Sequence, residues 1–202
     1  KVSTPEIARK HKAGQFVILR VDEKGERFPL TIADSDSENG TIDLIVQAVG
    51  KSTKMLGSMN PGDSILDLVG PLGVAAHIKK LDHVVMIGGG VGTAPLYPIF
   101  KAYKKLGTRI TVILGARNES LLVLEKEYTE DADKVIIATD DGSKGMKGLV
   151  TDALTQIVES GDKVDEVIAI GPLIMMKFVC LLTKKYNIPT MVSLNPLMVD
   201  GT

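Results

Sequence analysis

The run His83-Val84-Val85-Met86-Ile87-Gly88-Gly89-Gly90-Val91-Gly92-Thr93-Ala94-Pro95 passes from apolar to glycine-rich to helix-compatible within one short stretch. The chemistry such a run offers is anion binding. Without a Cβ, Gly88, Gly90 and Gly92 are free to take positive φ, and a diphosphate can then lie against the main chain, facing the unpaired N–H groups of the next helix. Val84 to Ile87 has the length and β-branching of a buried strand. Pro95 and Pro98 are expected near the first helical turn, where a missing N–H costs little. A glycine cluster also serves as a plain tight strand-to-helix turn, and two features here depart from the usual dinucleotide pattern. The spacing is Gly-x-Gly-x-Gly. The next strand, Arg109 to Leu114, runs into Gly115-Ala116-Arg117-Asn118 with no acid for the ribose hydroxyls. A nucleotide held by an unusual grip is the expectation.

Two upstream stretches offer related chemistry. Arg27-Phe28-Pro29-Leu30-Thr31 places a permanent cation, an aromatic ring, a rigid extended residue and a hydroxyl together, enough to bridge a phosphate and a polar ring atom. Taken alone, Arg27 is equally an exposed charge near a turn. Gly50-Lys51-Ser52-Thr53 precedes a short helix expected over Ser52 to Met59, and reads either as an ordinary cap or as a second diphosphate holder.

Different elements position these stretches. Strands are expected at Gln15 to Val21, Pro29 to Ala33, Thr41 to Val49 and Ser64 to Val69, joined by polar, glycine-bearing turns such as Asp34-Ser35-Asp36-Ser37-Glu38-Asn39-Gly40. That pattern predicts an antiparallel sheet or small barrel. From Val84 onward strands alternate with helices: Val84 to Ile87, Leu96 to Leu106, Arg109 to Leu114, Leu121 to Tyr128, Lys134 to Ala138, Leu149 to Ser160, Glu166 to Ile170, Leu173 to Tyr186, then Thr190 to Ser193. Apolar strands each followed by a helix predict a parallel sheet covered on both faces. The fold class expected is therefore an antiparallel β-barrel over residues 1–75 followed by an α/β parallel-sheet nucleotide-binding domain over 76–202. Ligands of such sheets bind beyond the strands' carboxyl ends, which selects Gly88 to Thr93, Gly115 to Asn118, Asp140 to Ser143 and Gly171 to Met176 as one shared edge.

Composition narrows the function classes. Lys and Arg number 24 against 25 Asp and Glu, so net charge points neither to nucleic acid nor to an anionic membrane. A content of 44% apolar residues without a bilayer-length run or a leader predicts a soluble, cytoplasmic protein. The lone Cys180, within Phe178-Val179-Cys180-Leu181-Leu182, reads as a core residue, and His11, His77 and His83 lack metal-ligand spacing. No metal site is expected in this chain. The start inside a structured segment and the end at Asp200-Gly201-Thr202 suggest a piece of a longer polypeptide.

In the order of these motifs the chain resembles the ferredoxin-NADP reductase superfamily, a flavin-binding barrel followed by a nicotinamide-nucleotide domain. Pro29-Leu30-Thr31 looks like the end of the family's Arg-x-Tyr-(Ser/Thr) FAD segment, with Thr31 at the hydroxyl position near flavin N5; Leu30 replaces the Tyr, and Arg27 stands one residue early. Gly50-Lys51-Ser52-Thr53 matches the second FAD-phosphate motif, and Val46 and Gln47 fall on the strand that lines the flavin. Gly70-Pro71-Leu72-Gly73 resembles the exit from the barrel. Gly88 to Pro95 looks like the nucleotide diphosphate loop, with Gly90, Val91, Gly92 and Thr93 on the diphosphate. Gly171-Pro172-Leu173-Ile174-Met175-Met176 resembles the segment beside the nicotinamide, where Ile170 replaces a common Cys. Gly115, Arg117 and Asp140 complete the expected nucleotide contacts, with Gly171, Pro172 and Met175 beside the ring.

Within the superfamily, Thr139-Asp140-Asp141-Gly142-Ser143 with Gly148-Leu149-Val150-Thr151 is similar to electron-transfer subunits of dihydroorotate dehydrogenase and, more closely, to the small subunit of NADH-dependent ferredoxin-NADP oxidoreductase. There Ser193 to Thr202 resembles the approach to a cysteine cluster holding a [2Fe-2S] centre. The resemblance implies FAD on the barrel, NADH across the sheet's edge, hydride transfer from nicotinamide C4 to flavin N5 in the cleft between domains, and Thr31 as the residue at the reacting nitrogen. It also implies a [2Fe-2S] centre in a longer chain, a larger iron-sulfur flavoprotein as partner, and ferredoxin as a possible acceptor. The alternatives are a dihydroorotate dehydrogenase partner, a stand-alone NADPH-ferredoxin reductase with Arg117 reading the 2′-phosphate, and a dinucleotide-binding module without turnover.

Overall fold

The computed structural model describes residues 1–194. The described chain divides into two compact units, the first Lys1–His77 and the second beginning at Ile78. The first holds β1 (Val2–Ser3), α1 (Pro5–Lys10), β2 (Phe16–Arg20), β3 (Phe28–Asp36), β4 (Thr41–Leu44), α2 (Lys51–Gly57) and β5 (Asp67–Leu72). Its strands form an antiparallel sheet in the order β1-β4-β3-β2-β5, curled into an open half-barrel. Val17, Ile32 and Ile42 are fully buried and pack with Ile7 and Ala8 of α1.

β3 is shared between two neighbours. Phe28 to Thr31 pair with β2, whereas Ile32 to Asp36 pair with β4 across a bulge. β4 ends at Leu44, so the strand expected to reach Val49 is shorter, and Val46 and Gln47 lie beyond it, Val46 half-buried and Gln47 exposed. Continued in the register Ile32↔Leu44, the ladder would set Gln47 opposite Pro29, which has no N–H to give.

The second unit holds β6 (His83–Gly89), α3 (Thr93–Lys105), β7 (Arg109–Ala116), α4 (Glu125–Asp131), β8 (Lys134–Thr139), β9 (Met146–Lys147), α5 (Val150–Glu159), β10 (Glu166–Ile170), α6 (Leu173–Lys185) and β11 (Thr190–Val192). All its strands are parallel, in the order β11-β10-β6-β7-β8-β9. β6 is buried along its whole length. Alternation explains this: Val85 and Ile87 face α5 and α6 within one cluster, so Val84 and Met86 face the other side, where α3 packs. Burying each such side chain contributes about 1.5–3 kcal/mol. Among the described residues no helix is long and apolar enough to cross a membrane.

Several expectations shift. Pro98 lies inside α3, beyond its first turn, and leaves the Ala94 carbonyl without its helical donor. α4 begins at Glu125 instead of Leu121, because Leu124 takes φ 56° and separates it from a 3-10 turn over Glu119–Leu121. His83 is a buried brace: Nε2 lies 3.0 Å from Thr111 Oγ1 and Nδ1 3.0 Å from the Lys163 carbonyl.

Candidate functional site

The order of the parallel strands fixes where a ligand belongs. β6 leads through α3 to β7 on one side, while the chain later returns through α5 to β10 on the other. The carboxyl ends of β6 and β10 therefore border the point where strand order reverses, the position that binds ligands in open α/β sheets. Gly88 pairs with Ile170 there, so the Gly88–Gly92 turn and the Gly171–Pro172 segment emerge side by side.

The glycines at this crevice divide by role. Gly90 alone among those of the turn has positive φ, +54°, and a Cβ on it would meet nothing within 4 Å. Gly92 has φ −62°, so the positive φ expected there is not what it supplies. Its reason is proximity, since a Cβ would lie 2.5 Å from the Ile170 carbonyl oxygen and 2.7 Å from Gly171 Cα. Gly88 likewise continues the strand, its Cβ position 3.0 Å from Thr93 Cα. On Gly89 a Cβ would reach Met175 Sδ at 2.5 Å and Pro172 Cδ at 2.9 Å. Met175 thus packs from the first turn of α6 onto the glycine turn.

Gly90–Gly92 form a 3-10 turn running straight into α3. Thr93 is buried and its hydroxyl donates to the Gly90 carbonyl, closing the turn. The Thr93 carbonyl accepts a 2.9 Å hydrogen bond from Tyr128 Oη on α4. Tyr128 is fully buried against Phe100 and Tyr97, and burial pushes its hydroxyl pKa well up, so it stays a donor. Tyr128 is a supporting residue that sequence reasoning missed, noted only as the end of a helix. What remains facing solvent is open backbone at Gly90, which has no side chain, and at Val91, 41% exposed. This is a surface fitted to a diphosphate.

Further along the same edge, Gly115 admits Val150 of α5 tightly against β7. Arg117 is exposed, with no partner for its guanidinium among the described residues. Asp140 follows β8, also exposed, and its N–H donates to the Ala116 carbonyl at 3.1 Å. Asp141 lies below the usual carboxylate range because the Ser143 hydroxyl and N–H bond to it.

In the first unit Pro29 and Thr31 alternate with Leu30 on β3. Leu30 packs onto the buried cluster of Val17, Ile32 and Ile42, while Pro29 is exposed. The half-buried Thr31 hydroxyl makes no hydrogen bond among the described residues. Arg27 Nη2 lies 3.1 Å from Asp67, which also takes Arg20 Nε at 2.6 Å. Two guanidiniums thus converge on one carboxylate at this end of the strand pair. At α2, Thr53 Oγ1 accepts the N–H groups of Gly50 at 2.9 Å and Val49 at 3.1 Å, so this hydroxyl is engaged in capping. Ser52 keeps a hydroxyl without a partner among the described residues. Asp67 and Arg20 were not foreseen; their register pairing at the end of the β2–β5 ladder was the available signal. The run from Ser193 to Thr202, with its expected approach to a cysteine cluster, falls outside the described residues from 195 onward.

Comparison with known proteins identifies both units. Residues 1–77 match the oxidoreductase FAD-binding domain and residues 86–181 the oxidoreductase NAD-binding domain. The chain belongs to the ferredoxin-NADP reductase family of FAD- and NAD-binding oxidoreductases. Within this family it is 48% identical over 201 residues to a Thermotoga maritima protein described as a dihydroorotate dehydrogenase B (NAD(+)) electron transfer subunit homolog, covering 100% of this chain and 71% of the relative. It is 36% identical over 195 residues to a probable dihydroorotate dehydrogenase B electron transfer subunit of Methanocaldococcus jannaschii, covering 94% and 70%. A chain from the structure of an NADH-dependent reduced ferredoxin-NADP oxidoreductase, solved in work on flavin-based electron bifurcation, superposes with a TM-score of 0.91 at 47% identity, covering 98% of this chain and 71% of that one. An Amycolatopsis cytochrome P450 reductase, at 24% identity and TM-score 0.74, shares the fold. The FAD and NAD sites of this reductase-family chain are thus its two units, one cofactor to each.

Proposed function

We propose that this chain is the NADH-oxidising electron-transfer subunit of a larger cytoplasmic flavoprotein complex. The observation that carries the reading is the open glycine turn at Gly90, closed by Thr93, backed by Tyr128 and set against Gly171 and Pro172 at the reversal point of the sheet. When bound, NADH and FAD supply hydride transfer from nicotinamide C4 to flavin N5, followed by release of single electrons. The chain's residues bind and orient. Gly90, Val91 and Gly92 present backbone N–H groups to the NADH diphosphate. Gly171, Pro172 and Met175 wall the crevice where the nicotinamide belongs.

On the first unit, Arg27, steadied by Asp67, gives its remaining N–H groups to the FAD diphosphate together with Ser52 and the backbone at Gly50. Thr53 acts by holding the Gly50–Lys51 turn. Thr31 offers a hydroxyl to flavin N5. Pro29 and Leu30 contribute the flavin-facing edge of β3, Leu30 through its main chain, and Val46 and Gln47 the backbone that follows β4. No general acid or base is needed for hydride transfer. A [2Fe-2S] centre beyond this chain would pass single electrons on toward a larger iron-sulfur flavoprotein. Support for that assembly comes from the relatives, named as electron-transfer subunits. Arg117, whose guanidinium has no partner among the described residues, favours NADPH as reductant instead. The test is cofactor content: protein purified at full length carries about one FAD per chain, and Arg27→Ala with Ser52→Ala loses it on dialysis. A colourless protein that takes up no added FAD would contradict the proposal.

A further inference from the structure

α4 has one buried residue, Tyr128, and that residue supports the glycine turn through the Thr93 carbonyl. Two of the helix's other side-chain bonds stay within it: Thr129 Oγ1 donates to the Glu125 carbonyl at 2.8 Å, and Lys126 Nζ lies 3.7 Å from Glu130. The backbone upstream does not set the helix's direction either. Leu124, with φ 56°, breaks the path from the 3-10 turn over Glu119–Leu121. A helix of seven residues with one anchoring side chain needs a second attachment to hold its place.

Lys144 supplies it. Its Nζ lies 2.9 Å from Glu125 Oε2, at the first residue of α4, and 3.2 Å from Glu119 Oε1, in the turn before Leu124. One ammonium thus spans the break. Lys144 is itself rooted in the sheet, because Thr139, the fully buried last residue of β8, donates its hydroxyl to the Lys144 carbonyl at 2.8 Å and accepts the Lys144 N–H at 3.2 Å. Gly145 follows with φ +68°, and a Cβ there would collide with the Ile137 carbonyl, so the turn lies close against β8. The carboxylates of Glu125 and Glu119 raise the pKa of the ammonium and keep it charged. Without that cation the two carboxylates would repel each other across Leu124.

We propose that Lys144 is a positioning residue for the nucleotide site: by clasping Glu125 to the end of β8 it sets α4, and through Tyr128 and the Thr93 carbonyl it fixes the glycine turn. The inference rests on the second unit being the NAD site. The path runs from Glu125 to Tyr128 one helical turn later, from Tyr128 Oη to the Thr93 carbonyl, and from the Thr93 hydroxyl to the Gly90 carbonyl. An exposed ion pair contributes little by itself, but a turn that holds its binding geometry for a smaller fraction of the time binds proportionately more weakly.

The experiment is calorimetric titration of the full-length protein with ADP-ribose, a probe that needs no flavin chemistry. Lys144→Met is expected to weaken binding about three- to fivefold with the urea midpoint little changed, and Lys144→Arg to stay within about twofold of the wild type. Glu125→Gln should reproduce most of the loss, and Glu119→Gln much less of it. The deciding comparison is a double-mutant cycle. Tyr128→Phe alone weakens binding about tenfold, and adding Lys144→Met to it costs under about twofold more, because the path is already cut. Full additivity of the two losses, or a Lys144→Met protein that binds like the wild type, overturns the proposal. So does a Glu119→Gln loss as large as that of Glu125→Gln, which would put the effect in the loop and not in α4. If the wild type binds no ADP-ribose, the NAD site itself is misplaced and the proposal falls with it. If the wild type binds and the cycle is additive, the NAD site stands and the role of Lys144 alone is refuted.

Discussion

Gly92→Ala separates a turn built for close approach from one that merely needs a flexible residue. The added methyl would sit 2.7 Å from Gly171 Cα and 2.8 Å from Gly171 N. Carbon atoms pack comfortably at about 3.5 Å, so the β6 turn and the β10 turn must part by roughly 0.8 Å. They cannot do so freely, because the Gly88↔Ile170 pairing ties them one step earlier. Overpacking of this kind costs about 1–3 kcal/mol, which for a chain of this size lowers the melting temperature by about 6 °C at mid-range. The same displacement moves the N–H groups that face the diphosphate, and NADH affinity should fall at least about tenfold. Gly90→Ala is the matched comparison. It meets no atom within 4 Å but holds φ +54°, so its cost is about 1–2 kcal/mol of backbone strain, with the methyl standing where the proposed site would take the nucleotide. Thermal unfolding and NADH titration of both variants check this. A Gly92→Ala protein with unchanged melting temperature and unchanged NADH affinity would refute the close-approach argument.

Thr53→Ala removes the acceptor of the Gly50 and Val49 N–H groups; about 1 kcal/mol of local stability should be lost, read as faster FAD release on dilution. Tyr103, buried and donating to the buried Glu166 at 2.9 Å, has its pKa raised by burial and by that carboxylate from an ordinary 10.0. The protonated form is the folded form, so its stabilisation is complete below pH 10 and is lost as the pH rises above it. Urea midpoints should therefore decline on the alkaline side, less steeply in Tyr103→Phe, which is itself about 1–3 kcal/mol less stable at neutral pH. Tyr128→Phe, which frees the Thr93 carbonyl, should raise the KM for NADH more than it lowers kcat, in a steady-state assay with a dye acceptor.

The strand-turn-helix of the nucleotide site was legible because its signals are local: a β-branched run, then glycine, then helical spacing. So were five strands of the parallel sheet, read from their mainly apolar runs, whereas the two-residue β9 gave no such signal. Less local features were not. α1 spans only Pro5–Lys10, too short for a period, and its placement depends on burying Ile7 and Ala8 under the first sheet. The end of β4 depends on Pro29, a residue on another strand. The hydroxyl of Thr53 looked like a ligand for phosphate, but at the third position of a helix opening with glycine it turns back to the cap. Gly92 was read for its freedom and turned out to matter for its lack of a side chain.

The central claim, electron entry from NADH to a flavin on this chain, is tested most directly by an anaerobic visible spectrum of the full-length protein before and after NADH, with NADPH added in parallel. The account predicts flavin bands that NADH bleaches within the mixing time and that NADPH bleaches far more slowly. A bound flavin that NADH leaves oxidised, with NADPH reducing it instead, would contradict it.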